Sequence, residues 1–563
     1  MGSFQISTID LIVLLIYFGG ISAVGIIASR RIRSSANYFL GERQFNKWIM
    51  IGQTFGTGTH AEMPVSLAGA VYSMGISGIW FQWKNLFATP FYWLIAPLFR
   101  RFRRTTMAEV MEDRYGPWMG AIYTVFALIF FTINMGSMLK GAAKVIDQAA
   151  GGAMPVNLLM VVMTLVFVAY SFTGGLVATA WTDFLQGFLI LALSFMLIPL
   201  GWSWVGGIAG MKSVLGPEKF SLATPHGITI WFIVILTING LTGIIAQPHL
   251  IAAVGTGKDE DTGRIGQLYG NMVKRFCTVG WALVGLITAC LIAKGQFGTA
   301  SLRDPEDAFG FACRHLLFPG GVGLLIASIL ATNMAGCSAF MVDSGALFTR
   351  GFYQRYVSRD REDRHYLVIG RISGVLITLA AVLYAVFFID RVLYAFLLTE
   401  TMATFVGISI YAGLIWDRAN RWGAVAGMVM AATVNFSIYW ARNGRLDAWD
   451  PNVFIIALAA GIGATILVSL ATPPEPTSAR DSFFVRVNTP SIGDNDKLPD
   501  EADRLATARD GRQLLITNLL HLRRGAAGLG ARAYRVDLWG FAIGWAIVIV
   551  LVGCVWLLFS SAG

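Results

Sequence analysis

Apolar runs of about 20 residues alternate with short polar loops along most of this chain. At about 1.5 Å of rise per residue, each run is long enough for a helix to cross a hydrocarbon core. Apolar residues within a run are continuous rather than alternating, which predicts helices. Helices and closed barrels alone satisfy their backbone in lipid. The pattern predicts about fourteen spans, near 8–28, 47–71, 77–99, 117–142, 155–172, 181–205, 227–254, 271–294, 318–348, 367–388, 392–416, 422–441, 452–471 and 538–560. The first run lacks a basic n-region and a small-residue cleavage site, so it reads as a retained helix rather than a signal peptide.

Two runs do not read as clean helices. The second carries Gly56-Thr57-Gly58-Thr59-His60-Ala61-Glu62-Met63-Pro64, and the seventh carries Asn239-Gly240-Leu241-Thr242-Gly243 followed by Gln247-Pro248-His249. Glycines, threonines and a proline in mid-membrane destabilise a continuous helix. Taken singly, each could be a kink made for packing, since Gly and Pro are common in membrane helices. As a pair, five spans apart, they point to a transporter site. Unwound backbone in a membrane is tolerated where it lines a cavity or is buried in protein. This favours a secondary transporter with a five-plus-five inverted repeat, broken at 56–64 and at 239–249, with repeats over 47–205 and 227–416.

Charge changes the picture by fixing orientation. Of the 563 residues 55% are hydrophobic and 13% charged, where a soluble domain carries about a quarter charged. Arg30, Arg31, Arg33 and Arg43 fill one loop, Arg100, Arg101, Arg103 and Arg104 another, and Arg350, Arg355, Arg359, Arg361 and Arg364 a third. The positive-inside rule places these loops in the cytoplasm, which makes the chain N-out and C-out in the plasma (inner) membrane. The net charge of +10 is then topology, and with no basic soluble domain it does not point to nucleic acid. Five cysteines show no ligand spacing, so neither a metal site nor a disulfide framework is expected.

The division expected is an extra helix and basic loop over 1–46, the two repeats, C-terminal helices over 422–471, a cytoplasmic insertion over 473–536 and a last helix over 538–560. The insertion opens on Pro473, Pro474 and Pro476, carries an acidic segment over 494–503 and a basic one over 523–535. It reads as a tether with Arg523, Arg524 and Arg532 near anionic head groups, or as a regulatory segment that docks a cytoplasmic partner. HExxH, GxSxG and clustered Cys/His are absent, so an enzyme is not expected.

Several segments resemble the sodium/solute symporter family, whose members include sugar and proline permeases on a LeuT-like fold. Tyr38-Phe39-Leu40-Gly41, Ala61-Glu62-Met63, Thr173-Gly174-Gly175-Leu176 and Trp181-Thr182-Asp183-Phe184-Leu185-Gln186-Gly187 resemble family signatures, as do Gln247-Pro248-His249 and Gly413-Leu414-Ile415-Trp416 with Gly423-Ala424. The resemblance covers roughly residues 5–440 and implies an all-α polytopic fold with one extra N-terminal helix, ten core helices and extra C-terminal helices. It implies substrate contacts at Glu62, Met63, Gln82, Asn85, Asn239 and Lys274. Gln82 and Asn85 share a helix face, and Trp80, Phe81 and Trp83 beside them suit a small-solute pocket, although Gln and Asn also serve as interhelical glue. Lys84 faces either the interior or the interface by snorkelling.

The same resemblance implies a sodium site with carbonyls at Gly56 and Thr59 and hydroxyls where this chain has Ala335-Gly336. Two oxygen ligands are thus missing, and Thr332, one turn earlier, could supply one. Weakened or absent sodium coupling follows as an expectation, with a proton or no ion in its place. His60 stands where the family has a serine; it serves either as a hydrogen-bond donor to unwound backbone or as a titrating group. Asp183, Asp343 and Glu400 are further intramembrane acids for a relay. The solute expected is a small polar organic molecule, an amino acid or small carboxylate before a sugar. A transporter-like sensor without flux is the competing class. Beyond a possible Na+ or H+, no cofactor is expected.

Overall fold

The computed structural model describes residues 7–29, 45–151, 155–298, 301–442, 444–445, 448–491, 514–518 and 534–560. The first basic loop, the 38–41 segment, the acidic 494–503 stretch and Arg523, Arg524 and Arg532 lie outside the described residues; for 173–182 the backbone alone is described.

Among the described residues the chain is helical, apart from an isolated bridge between Phe45 and Gly257. In order come α1 (Thr8–Ser29), α2 (Lys47–Gly58), α3 (Glu62–Met74), α4 (Trp80–Trp83), α5 (Tyr92–Arg101), α6 (Met107–Tyr115), α7 (Pro117–Ala149), α8 (Val156–Phe195), α9 (Leu197–Val205) and α10 (Gly207–Leu215). The second half holds α11 (Ile230–Gly243), α12 (His249–Gly255), α13 (Glu260–Ala293), α14 (Ala308–Leu316), α15 (Gly321–Phe348), α16 (Asp363–Phe387) and α17 (Val392–Ile415). Then follow α18 (Arg421–Ala441), α19 (Pro451–Ala471), α20 (Thr477–Asn488), α21 (Leu515–Asn518) and α22 (Arg535–Ser560).

Nine helices among the described residues are long and apolar enough to cross a membrane, or ten with the bent pair 230–246 and 249–255 taken as one span. That is fewer than the fourteen runs of the sequence. The runs at 47–71 and 77–99 are cut into short helices by their polar residues, and those at 8–28 and 155–172 fall on α1 and α8.

Both polar interruptions are real breaks. The side chain of Asn46 caps α2 by accepting from the amides of Trp48 and Ile49. The helix ends at Gly58, and Thr59 is extended at φ −120°, ψ 111°. Pro64 falls in the first turn of α3, where its missing N–H is harmless. In the second half Pro248 pushes Gln247 out of the helical region, to φ −66°, ψ 119°, and the axis turns by 61°. Small residues let neighbours close on the first break. A Cβ on Gly56 would stand 2.9 Å from the Cβ of Asp183, and one on Gly141 would stand 2.7 Å from the Cα of Glu62.

Residues 475–491, which read as tether in the sequence, are packed. Phe483 is 4% exposed and stacks on Phe102, with the Arg114 guanidinium over its ring. Arg103 donates to the carbonyls of Arg486, Thr489 and Pro490, closing the C-terminus of α20. Glu260 takes Arg101 on both oxygens and the amide of Ser491 on one. Glu475 accepts three hydrogen bonds from Arg421 at 2.5–2.9 Å.

Burial alone would raise the Glu475 carboxyl, but the hydrogen bonds and charge of Arg421 hold it below the ordinary glutamate value. A carboxylate held low in the folded state contributes stability that is present above its unfolded value and lost as pH falls through the folded one. Hydrogen exchange of the 477–488 amides, corrected for intrinsic rate, is therefore expected to speed up as pH falls below about 4.5. In Glu475→Gln it should already be fast at neutral pH.

Candidate functional site

The first break places three side-chain and backbone groups at the carbonyl end of α2. The His60 ring turns back so that Nε2 donates to the Thr57 carbonyl, and Nδ1 meets Glu62 Oε1 at 3.0 Å. Lys274 reaches across from α13 and donates to the Gly58 carbonyl. The amide of Thr59 donates to the Gly56 carbonyl at 3.3 Å. Asp183 sits behind, accepting from the Thr57 hydroxyl at 2.8 Å. A carbonyl and a carboxylate both accept, so the His60 ring is satisfied at both nitrogens as an imidazolium, or as a neutral ring with the second proton on Glu62. Either arrangement keeps one acidic proton in the pair.

The second break faces the first across Phe340 of α15. The His249 ring lies 5.1 Å from Phe340, and the His60 ring packs edge-on against it at 5.5 Å. A small cavity of about 60 Å³ lies between the breaks. Met63 and His60 wall it on the first side, Gln247 and His249 on the second, with Gln82, Asn85, Lys274, Arg275 and Glu400 completing it. Gln82 Nε2, Asn85 Oδ1 and His249 Nδ1 are buried without a hydrogen-bond partner. Buried polar atoms are nearly always paired, so these three mark places where a polar ligand or water would bind.

A buried ion pair braces the cavity wall. Lys84 is fully buried and meets Glu400 at 3.0 Å. It also donates to Asn239 Oδ1, while Glu400 takes Gln247 Nε2 on its other oxygen. Of the two orientations open for Lys84, the structure has the interior one. Removing one partner of such a pair costs about 3–5 kcal/mol, because the other charge is left buried alone.

The family model for the sodium:solute symporter family matches residues 38–431. The chain belongs to the sodium:solute symporter family. Among its relatives, the osmoregulated proline transporter OpuE of Bacillus subtilis is 27% identical over 499 residues, covering 85% of this chain and 98% of that one. The high-affinity proline transporter PutP of Bacillus subtilis is 26% identical, covering 82% and 98%. A Na+-coupled sialic acid symporter in a substrate-bound outward-open state superimposes with a TM-score of 0.71 at 17% identity, covering 83% of this chain and 99% of that chain. This sodium:solute symporter family member thus has a LeuT-like fold and is a membrane transporter, not an enzyme.

Of the six substrate candidates, Met63, Gln82, Asn85 and Lys274 line the cavity. Glu62 and Asn239 stand behind it, held by His60 and by Lys84 with Thr404. Gly56, Thr59, Thr332, Ala335 and Gly336, where the resemblance implies a sodium site, do not line it. The Thr332 hydroxyl donates a hydrogen bond to the Ser328 carbonyl. Asp343 is buried with one oxygen unpartnered and also lies outside the lining. Sequence reasoning missed Arg275, Asn134, Gln267 and Asn271 in the wall. Arg275 carried a legible signal, being a second cation in mid-span beside Lys274.

These residues do not fit a bound sodium ion at the aligned position. Ala335 and Gly336 bring no side-chain oxygen, and the His60 ring packs against Gly336. A Cβ on Gly336 would stand 2.6 Å from His60 Cδ2 and 3.1 Å from Nε2. Gly336→Ser is expected to destabilise the fold by about 1–3 kcal/mol through overpacking, read as a lower melting temperature. Gly336→Ser combined with His60→Ala should recover most of that loss in the same thermal scan.

Proposed function

We propose that this chain carries a small polar organic solute, an amino acid before a small carboxylate or a sugar, across the plasma membrane by alternating access. The observation that carries this reading is the cavity at the meeting of two broken helices, lined by Gln82, Asn85 and His249, each with a buried unpartnered polar atom. The proline-transporter relatives favour the amino acid. Met63, Gln82, Asn85 and Lys274 would touch the solute, with Glu62 and Asn239 as supports. In this reading the core is the five-plus-five repeat over 47–205 and 227–416, within about fourteen membrane helices. Both termini face outward, and the basic loops and 473–536 lie in the cytoplasm. A cytoplasmic partner would dock on that segment.

Coupling has two readings. Family membership favours sodium. The His60 ring against Gly336, in place of hydroxyl ligands, favours a carrier that does not use sodium. In the second reading the proton held by His60 and Glu62 is the coupling ion, with Asp183, beside Thr57, as a relay candidate.

Proteoliposomes loaded with the purified protein test both readings, with labelled L-proline as the first probe and a panel of amino acids, carboxylates and sugars behind it. Uptake that saturates, and that Gln82→Ala reduces roughly tenfold, is expected from the loss of a cavity hydrogen bond. Binding of panel members without any uptake would overturn transport in favour of a sensor. An imposed proton gradient in sodium-free choline medium should drive accumulation in the sodium-independent reading. Accumulation that follows the sodium gradient and ignores the proton gradient would overturn that reading.

A further inference from the structure

The carbonyl end of α2 sets a problem that any fold with this break must solve. A helix leaves its last carbonyls without intrahelical donors, and the aligned peptide dipoles put about half a negative charge there. In the membrane interior, water is not freely at hand to satisfy them. Here the Gly56 carbonyl has the Thr59 amide, the Thr57 carbonyl has His60, and the Gly58 carbonyl has the ammonium of Lys274.

Lys274 is held in a way that Lys84 is not. Lys84 has Glu400 at 3.0 Å. Among the described residues Lys274 has no carboxylate within ion-pair distance, and its neighbour Arg275 donates instead to the Gln82 carbonyl. What offsets its charge at contact is the helix end itself. The ammonium is a compact cation with three donors and no acceptor, so it asks of its surroundings what an alkali ion asks: oxygen atoms.

We infer that Lys274 is a tethered cation that takes the place of a bound metal ion at the first helix break, joining α13 to the carbonyl end of α2. Being covalently attached, it is present at every stage and at every sodium concentration. The break is therefore held in shape without an ion from solution. Lys274 is on this account a positioning residue that also lines the cavity, so a solute acceptor group entering there competes with the Gly58 carbonyl for it. This builds on the transport reading of the cavity, but its test does not need the solute.

The test is thermal unfolding of the purified full chain in sodium chloride and in choline chloride at equal ionic strength. A cation that binds the folded state raises its melting temperature by mass action. The wild type is expected to melt at the same temperature in both salts. Lys274→Met and Lys274→Gln, which remove the charge, should melt lower in choline and regain several degrees in sodium, where the ion can enter the vacated site. Lys274→Arg, which keeps a cation, should behave as wild type in its indifference to sodium. If Lys274→Met fails to fold, Lys274→Gln keeps a donor at the carbonyl and carries the comparison. A wild type that sodium stabilises as strongly as it does the neutral variants would overturn the inference. So would neutral variants that respond to sodium no more than the wild type. Failure to find any transported solute would leave these outcomes unchanged, and would count against the transport reading alone.

Discussion

Everything at the centre of this molecule depends on how the backbone carbonyls of an interrupted membrane helix are satisfied. Polar backbone freed inside a bilayer must find partners within the protein. At the end of α2 the partners are side chains of the chain itself, His60 from the break and Lys274 from a helix more than two hundred residues away. The glycines follow from this. Gly336 leaves room for the His60 ring, and Gly56 lets Asp183 approach the break.

The second interruption uses a different device and reaches a matching place. Pro248 bends the chain, His249 lies against Phe340, and Phe340 also meets His60 from the other side. One aromatic ring on α15 thus spaces the two breaks, and the cavity is the gap that remains. The Lys84–Glu400 pair fixes its wall: Lys84 holds Asn239 of α11, and Glu400 holds Gln247 at the bend. A buried pair of this kind is weak evidence for stability. Its effect here is register, since it locks the third run of the sequence to the second break.

The sequence made the helices, the two breaks and the polar pair Gln82 and Asn85 readable, because proline, glycine and mid-span polar residues act locally. Long-range pairing was not readable. Lys84 could have gone to either side until Glu400, more than three hundred residues on, was seen to meet it. Glu62 aligned with substrate residues, yet it is turned to His60 and stands behind the wall. The absence of hydroxyls at Ala335 and Gly336 was visible, but that an imidazole fills the space was not. The packed helix Thr477–Asn488 was missed because Phe483 and Val487 lie among charged residues, and their partners belong to distant loops. Hydropathy does not register where a run is cut into short helices, as at 47–71 and 77–99.

On this reading the chain's own donors, not a bound ion, hold the first break. The decisive measurement is equilibrium binding of radioactive sodium to the purified protein, with His60→Ala beside the wild type. No saturable sodium binding to the wild type is expected. Saturable binding of sodium to the wild type that His60→Ala abolishes would contradict it.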